Sequence, residues 1–296
     1  MTKLTLSVLI INWNTRQLLK ECLQSIYQQS HQLRFEVIVV DNGSQDGSAQ
    51  MVRQHFPQVR LLQNSHNVGF ATANNQAAKL AQGEFLLLLN SDTVLHQPIF
   101  DQLVAFARQT KAGVVGPKLV NTDGSLQPSA GSLPSLISIF SQQGLPLHKL
   151  RLSSWPVLQS ASPEFYAHPR QVGWVSGACL LTPRKLYRQL SGLDETIFMY
   201  MEEVDYCARV QQTGRQIWLL PEVQVMHVGA GSSTTGRHRP IVRLHQGLYY
   251  YFAKHHPRWQ LVVLWLILLM GACLRWVRAP RTYYSVVKIN PWHPFA

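Results

Sequence analysis

Cysteine is scarce in this 296-residue chain, and the four present (Cys22, Cys179, Cys207, Cys273) are widely separated with no C-x-x-C pair. That spacing argues against a disulfide framework or a cysteine zinc site and fits a reducing, cytosolic setting. The N-terminal apolar run is too short for a secretory signal, since only six residues span Leu6 to Ile11 before Asn12. No G-x-G-x-x-G follows that run, which disfavours a dinucleotide-dependent oxidoreductase. No internal repeat is evident. Acidic residues are missing altogether from 223–296, a stretch with nine of the chain's 27 Lys and Arg. Such a basic block attracts nucleic acid or an anionic membrane surface. Within it, residues 259–274 form an uncharged apolar run, which suits lipid and which nucleic acid does not require. With no recognition helix or aromatic stacking pattern, nucleic acid is not expected as a partner.

The rest of the chain has short apolar runs that stop at polar clusters. Leu6–Ile11 ends in Asn12-Trp13-Asn14, Phe35–Val40 in Asp41-Asn42-Gly43-Ser44, and Phe85–Leu89 in Asn90-Ser91-Asp92. Continuous apolar runs bounded by turn residues predict parallel strands covered on both faces. Helical spacing falls between them: Leu18 to Ile26 behind an Asn14 or Thr15 cap, Ala49–His55, Ala71–Gln82 stopped by Gly83, and Ile99–Thr110. Val59–Gln63 reads as a further strand. The alternation predicts a Rossmann-like α/β fold, a mainly parallel doubly wound sheet. Ligands of such sheets bind beyond the carboxyl ends of the strands. Two aspartates and an amide-rich loop there suit a nucleotide and its metal ion.

Residues 131–170, rich in Pro, Ser and Gln, read as an irregular, lid-like insertion. Order returns over Val172–Leu181, and Pro183 suits the first position of a short helix. Glu202–Thr213 is helical with Gly214 as its stop, and strands are expected over Gln216–Leu220 and Val223–Val228. Plainer readings compete at each motif. Asp41-Asn42-Gly43-Ser44 alone is turn chemistry, and Asn90-Ser91-Asp92 alone is a helix cap, although Pro98 delays the next helix. Glu202 and Glu203 suit a helix's first turn, and successive helical residues point about 100° apart. A single His227 in a strand is ordinarily structural. Trp174 is either core or, between Gly173 and Gly177, part of a backbone that a ligand approaches closely.

Taken in order, Ile11-Asn12-Trp13-Asn14, Val39-Val40-Asp41-Asn42-Gly43-Ser44, Asp46-Gly47-Ser48, Asn67-Val68-Gly69-Phe70-Ala71, Asn74-Asn75, Leu89-Asn90-Ser91-Asp92, Trp174–Ala178, Glu202–Asp205 and His227 carry a resemblance. The chain resembles the inverting family-2 glycosyltransferases of the GT-A fold, nearest the rhamnosyltransferase-like branch, over roughly residues 5–230. The resemblance implies transfer of a sugar from a nucleotide-sugar donor, a UDP-sugar or dTDP-rhamnose, to a lipid-linked or cell-surface glycan. It places Asp41 against the base or ribose, and Asp92 with His227 on a divalent metal, Mg²⁺ or Mn²⁺. Glu203 becomes the catalytic base. Asn12, Asn14, Asn42, Gly69, Asn90, Ser91, Trp174 and Gly177 complete the expected nucleotide-sugar site. Two positions depart from the family pattern: Asn90 stands where the first Asp of Asp-x-Asp is usual, and Glu203 where Asp is commoner. A catalytically silent nucleotide-sugar-binding component of a glycan-synthesis complex is the alternative.

The expected division is a catalytic domain over 1–230, with a nucleotide-binding half to residue 120 and an acceptor-binding half from 121. A basic, apolar helical tail follows over 231–296. As a helix the 16-residue run 259–274 reaches only ~24 Å, short of a ~30 Å hydrocarbon core. Basic residues flank both of its ends, so a shallow, in-plane attachment at the cytoplasmic membrane face is expected over a span.

Overall fold

A computed structural model of the chain describes residues 4–142, 159–229, 238–276 and 279–295. Its first half alternates as the apolar pattern predicts: β1 (Leu6–Asn12), α1 (Arg16–Gln28), β2 (Phe35–Asp41), α2 (Ser48–His55), β3 (Arg60–Gln63), α3 (Phe70–Leu80) and β4 (Phe85–Asn90). A two-residue β5 (Thr93–Val94), α4 (Phe100–Thr110), β6 (Val114–Val120), β7 (Leu126–Gln127), β8 (Ala130–Gly131) and α5 (Leu136–Ser141) come next. The second half holds β9 (Arg170–Val172), β10 (Trp174–Val175), β11 (Cys179–Pro183), α6 (Arg184–Gln189), α7 (Glu202–Gln212), β12 (Ile217–His227), α8 (His238–His255), α9 (Arg258–Arg275) and α10 (Pro280–Val287).

The main sheet runs β3-β2-β1-β4-β11-β6-β12-β5, with β7 added to β6 and β9 to β12. Strands β3, β2, β1 and β4 are parallel, while β11 inserts antiparallel between β4 and β6. Side chains alternate across it as strand geometry requires. Leu6, Val8 and Ile10 of β1 pack with Leu19, Met51 and Phe100 of α1, α2 and α4. Leu9 faces the other side, with Ile38, Val40 and Ala73 in a cluster that also takes in Tyr206 of α7.

Local expectations fail where distant contacts decide. The segment 172–181 divides into three strands, because Gly173 donates to the Gly131 carbonyl at 2.7 Å and β10 pairs with β8 in a separate two-stranded sheet. A side chain at Gly173 would collide with the Leu133 amide nitrogen at 2.1 Å, so it is the chain's own backbone that approaches there, not a ligand. Pro183 ends β11 and precedes α6 by one residue. The two strands expected over 216–228 are one, β12, whose register shifts between Leu220 and Gln224. Of the insertion expected over 131–170, residues 143–158 lie outside the described residues, and the remainder includes α5 and a 3₁₀ turn at Pro163–Tyr166.

The C-terminal helices share the core of the sheet. Leu248, Tyr249 and Phe252 of α8 and Leu261, Leu264 and Leu268 of α9 are buried in the same cluster as α7. A polar junction locks α8 to α7. The fully buried Asp205 carboxylate accepts from Arg209 Nε, Lys254 Nζ and His255 Nε2, each at 2.8 Å. Lys254 also pairs with Asp194 at 2.6 Å, to which Tyr250 donates at 2.9 Å. Burial alone would raise the Asp205 carboxyl, but His255, Arg209 and Lys254 outweigh it and bring it down to about 2.

Removing one member of a buried ion cluster strands the others, so Asp205→Asn is expected to cost about 3 kcal/mol of stability. A carboxyl depressed in the folded state stabilises only while ionised. The deficit of the variant should therefore be complete above pH ~4 and shrink as pH falls towards about 2. Urea melts of both proteins at neutral pH and near pH 3 measure this; an equal gap at both would contradict it.

Candidate active site

Strand register assembles the site. Asn12 is aligned with Asp41 across β1 and β2, Ile11 with Asn90 across β1 and β4, and His227 with Thr93 across β12 and β5. Segments more than a hundred residues apart thus end on one edge, above which opens a cleft of about 480 Å³. Of the residues expected there, Asn42, Asn90, Ser91, Asp92, Gly177, Glu203 and His227 line it.

Asn12, Asn14, Asp41, Gly69 and Trp174 are not on the cleft wall. Asn12 and Asp41 are fully buried beneath it. Asn12 Nδ2 donates to Asp41 Oδ2 at 3.2 Å and to Ser44 Oγ at 3.1 Å, while Asp41 Oδ1 accepts the Ser44 amide at 3.0 Å. Thr15 starts α1 without capping it, because its hydroxyl donates to Asn12 Oδ1 at 2.7 Å and lies 3.0 Å from Ser91 Oγ. These groups stiffen the loops that carry the lining residues. Asn14 clamps the Ser44–Gln45 turn from outside. Gly69, at φ +90°, permits the contact in which Phe70 N–H donates to the Phe198 carbonyl, where a Cβ would stand 2.9 Å from that oxygen. Trp174 is buried in the core and lines a neighbouring cavity.

The polar centre of the cleft is a carboxylate–imidazole pair. Gln127 Nε2 donates to Asn121 Oδ1 at 2.9 Å, which turns its carbonyl oxygen towards His227 Nδ1 at 2.7 Å. His227 therefore gives its Nδ1–H to Gln127 and presents Nε2 to the cleft, 3.2 Å from Asp92 Oδ1 and 3.2 Å from Asn90 Nδ2. An imidazole lone pair and a carboxylate oxygen side by side are a donor set that fits a divalent cation. Among the described residues no three His, Cys, Asp or Glu side chains converge on a metal-sized site. An ion here would take Asp92 and His227 from the protein and fill its shell with phosphate oxygens and water, a sparse ligation that suits Mg²⁺ or Mn²⁺.

Glu202 and Glu203 both line the cleft, and Oε2 of each is buried without a hydrogen-bond partner. Burial, and then the Glu203 charge, push the Glu202 carboxyl well above its usual range. Glu203 is raised mainly by burial and partly restored by backbone N–H groups, Gly177 among them. Both carboxyls are thus harder to ionise than an ordinary glutamate, Glu202 more so than Glu203. The segment before them is strained: Tyr200 and Met201 have φ of 71° and 80°. Gly247 of α8 presses on it, and a Cβ there would stand 2.8 Å from the Tyr200 carbonyl.

Sequence reasoning missed Gln127, Tyr200 and Arg243. Arg243 reaches the cleft from α8, stacked 4.4 Å over the Phe198 ring. In the sequence it is one basic residue of a basic tail, and only the packing of α8 beside α7 gives it a place.

Residues 7–153 match the family described as Glycosyl transferase family 2. The N-acetylglucosaminyl-diphospho-decaprenol L-rhamnosyltransferase of Mycobacterium tuberculosis (strain CDC 1551 / Oshkosh) is 33% identical over 239 residues, 75% of this chain and 76% of that one. The mannosyltransferase PcManGT from Pyrobaculum calidifontis, solved with GDP-Man and Mn²⁺, superposes with a TM-score of 0.57 at 17% identity, over 97% of this chain and 84% of that one. GalNAc-T7, solved with UDP, GalNAc and Mn²⁺, gives 0.60 at 17% identity, covering 85% of this chain and half of its own length. The sheet with its polar carboxyl edge is the GT-A fold, and the chain belongs to glycosyltransferase family 2.

Proposed function

We propose that the chain is an inverting transferase that moves a glycosyl group, rhamnosyl from dTDP-rhamnose or hexosyl from a UDP-sugar, onto a polyprenyl-linked sugar at the cytoplasmic membrane face. The observation that carries this reading is the meeting, in one cleft, of an Asp92–His227 pair suited to a metal diphosphate and a buried, unpartnered Glu203 carboxylate oxygen. The rhamnosyl option and the lipid-linked acceptor follow the mycobacterial relative's description.

In this reading Glu203 accepts the proton of the acceptor hydroxyl as its oxygen bonds to the anomeric carbon. The bond from that carbon to the phosphate oxygen breaks, and the nucleoside diphosphate leaves with the electron pair. Charge gathers on the leaving group, where the Arg243 guanidinium lines the cleft. A divalent ion held by Asp92 and His227 would supply the remaining neutralisation. Ser91 and Asn42 border the nucleotide's course, and Asn12, Asn14 and Asp41 hold its loops. Gly69 fixes the turn into α3, and Gly177 lies beside Glu203, where an added Cβ would stand 3.6 Å from the Glu203 Cβ. A silent binding protein would have no use for a desolvated carboxylate with an open oxygen beside the sugar site, which disfavours that alternative.

Membrane attachment fits α9. Leu261, Leu264, Leu268 and Ala272 are buried against the domain, whereas Trp259, Leu266 and Leu274 are 61%, 52% and 61% exposed. The helix is long and apolar enough to cross a membrane. With one face committed to the protein, it is better placed to lie on a bilayer, where the acid-free basic tail favours anionic headgroups.

Glu203→Gln is expected to lower kcat by at least ~100-fold with donor affinity kept, and Glu202→Gln to do less. The wild-type rate should fall on acidification with a midpoint above the ~4.3 of an ordinary glutamate. Steady-state kinetics across pH measure both; the reverse ranking moves the base to Glu202.

UDP- or dTDP-sugar at 100 times its Kd should stabilise the wild type by ~2.7 kcal/mol in thermal-shift assays. The shift should require Mn²⁺ or Mg²⁺ and should vanish in Asp92→Ala. A metal-independent shift would remove the ion from the account.

Leu266→Glu with Leu274→Glu, both on the exposed face, should release the protein from anionic vesicles in flotation assays at high salt. Equal flotation of variant and wild type would remove α9 from the attachment.

A further inference from the structure

A second cavity, about 400 Å³, lies between the catalytic domain and the C-terminal helices, within the ~300–1,000 Å³ usual for ligand sites. It meets the donor cleft: Ser176, Tyr200 and Glu203 line both. Its far wall belongs to the tail. Leu244 and Leu248 of α8 and Leu268 of α9 make that wall apolar, and Arg275 is the one Lys or Arg among the described lining residues. The guanidinium is held in place by the Gly271 and Gln142 carbonyls, at 3.1 and 3.0 Å. His245, also on the wall, gives Nδ1–H to the Ile241 carbonyl at 2.8 Å, and burial lowers its pKa. Leu244 is 41% exposed, so the cavity opens outward over an apolar lip.

A polar gate at the base, an apolar wall and a single fixed cation match one class of molecule, an isoprenoid diphosphate bearing a sugar. We propose that this cavity seats the acceptor's prenyl-diphosphate end. The diphosphate pairs with Arg275, the first isoprene units lie on Leu244, Leu248 and Leu268, and the sugar hydroxyl passes between Ser176 and Tyr200 to Glu203. The assignment rests on the lipid-linked acceptor proposed above and goes further by giving it a seat built from the tail. In it α9 has two apolar sides with different tasks, one lining the acceptor cavity and one meeting the bilayer from which the acceptor comes.

The test is calorimetric binding of farnesyl diphosphate, used as a short probe, to the full chain with UDP or dTDP present at saturation. Wild type should bind it undisturbed by the nucleotide. Arg275→Gln should weaken binding by ~tenfold or more, the loss expected of a charge-assisted contact, and Arg275→Lys should retain most of it. Leu244→Trp, at the exposed lip, should weaken it without Arg275 being touched. Farnesol, lacking the diphosphate, should bind wild type and Arg275→Gln alike. Displacement of the probe by UDP or dTDP, or equal affinity in Arg275→Gln and Leu244→Trp, would overturn the proposal. Binding as expected, with no transfer onto a prenyl-diphosphate sugar, would leave the cavity assigned and remove the acceptor reading. Transfer onto such a sugar without probe binding would do the reverse.

Discussion

Much of this molecule depends on one buried carboxylate. Asp205 sits one turn into α7, two residues beyond Glu203, and draws Arg209 from its own helix and Lys254 and His255 from α8. Its desolvation is costly, and three donors offset it. Arg209 also donates to the carbonyls of Leu190 and Gly192 at 2.6 and 2.8 Å, so the same knot fixes the loop leading into α7. The start of α7 is thereby held from both sides. That is the setting in which Tyr200 and Met201 keep left-handed backbone conformations, a strain that persists only where the surroundings over-determine it.

Because α8 is fixed in this way, the C-terminal helices are structural parts of the site. Arg243 of α8 faces the donor cleft, and Leu244 and Leu248, on the same helix, face the second cavity. Helical spacing allows this, since residues 244 and 248 share one face and 243 projects about 100° away from it, on a helix whose Gly247 lies against the Tyr200 carbonyl. In the proposed reading, donor chemistry and membrane attachment are coupled by packing: the helices that would meet lipid also wall the space leading to Glu203.

The part of this arrangement governed by local pattern was legible in the sequence. Continuous apolar runs gave β1, β2 and β4, and their common polar endings placed Asn42, Asn90, Ser91 and Asp92 at one edge, because parallel strands in register finish together. Glu203 was singled out by the family resemblance alone, since its position at a helix start reads equally as ordinary first-turn chemistry. What local pattern does not encode was missed. Trp174 was drawn towards the ligand by its glycine neighbours, but Gly173 makes room for the Ser132–Leu133 backbone. Separate strands were expected over Gln216–Leu220 and Val223–Val228, where β12 instead shifts register and continues to His227. Gln127, an unremarkable amide in sequence, orients His227 from a strand a hundred residues away. Arg243 looked like tail charge because the α7–α8 contact that gives it a role is made by residues distant in the chain. Asn12 and Asp41 were found at the right edge but one layer too deep, where each supports the loops and neither lines the cleft.

The central claim is direct displacement at the anomeric carbon with Glu203 as the base, and product stereochemistry tests it most directly. NMR of the transfer product, through its one-bond C1–H1 anomeric coupling compared with the donor's, reads the configuration. The account predicts complete inversion, since a single attack from the side opposite the leaving diphosphate changes the anomeric configuration once. A product with the donor's configuration retained would contradict it.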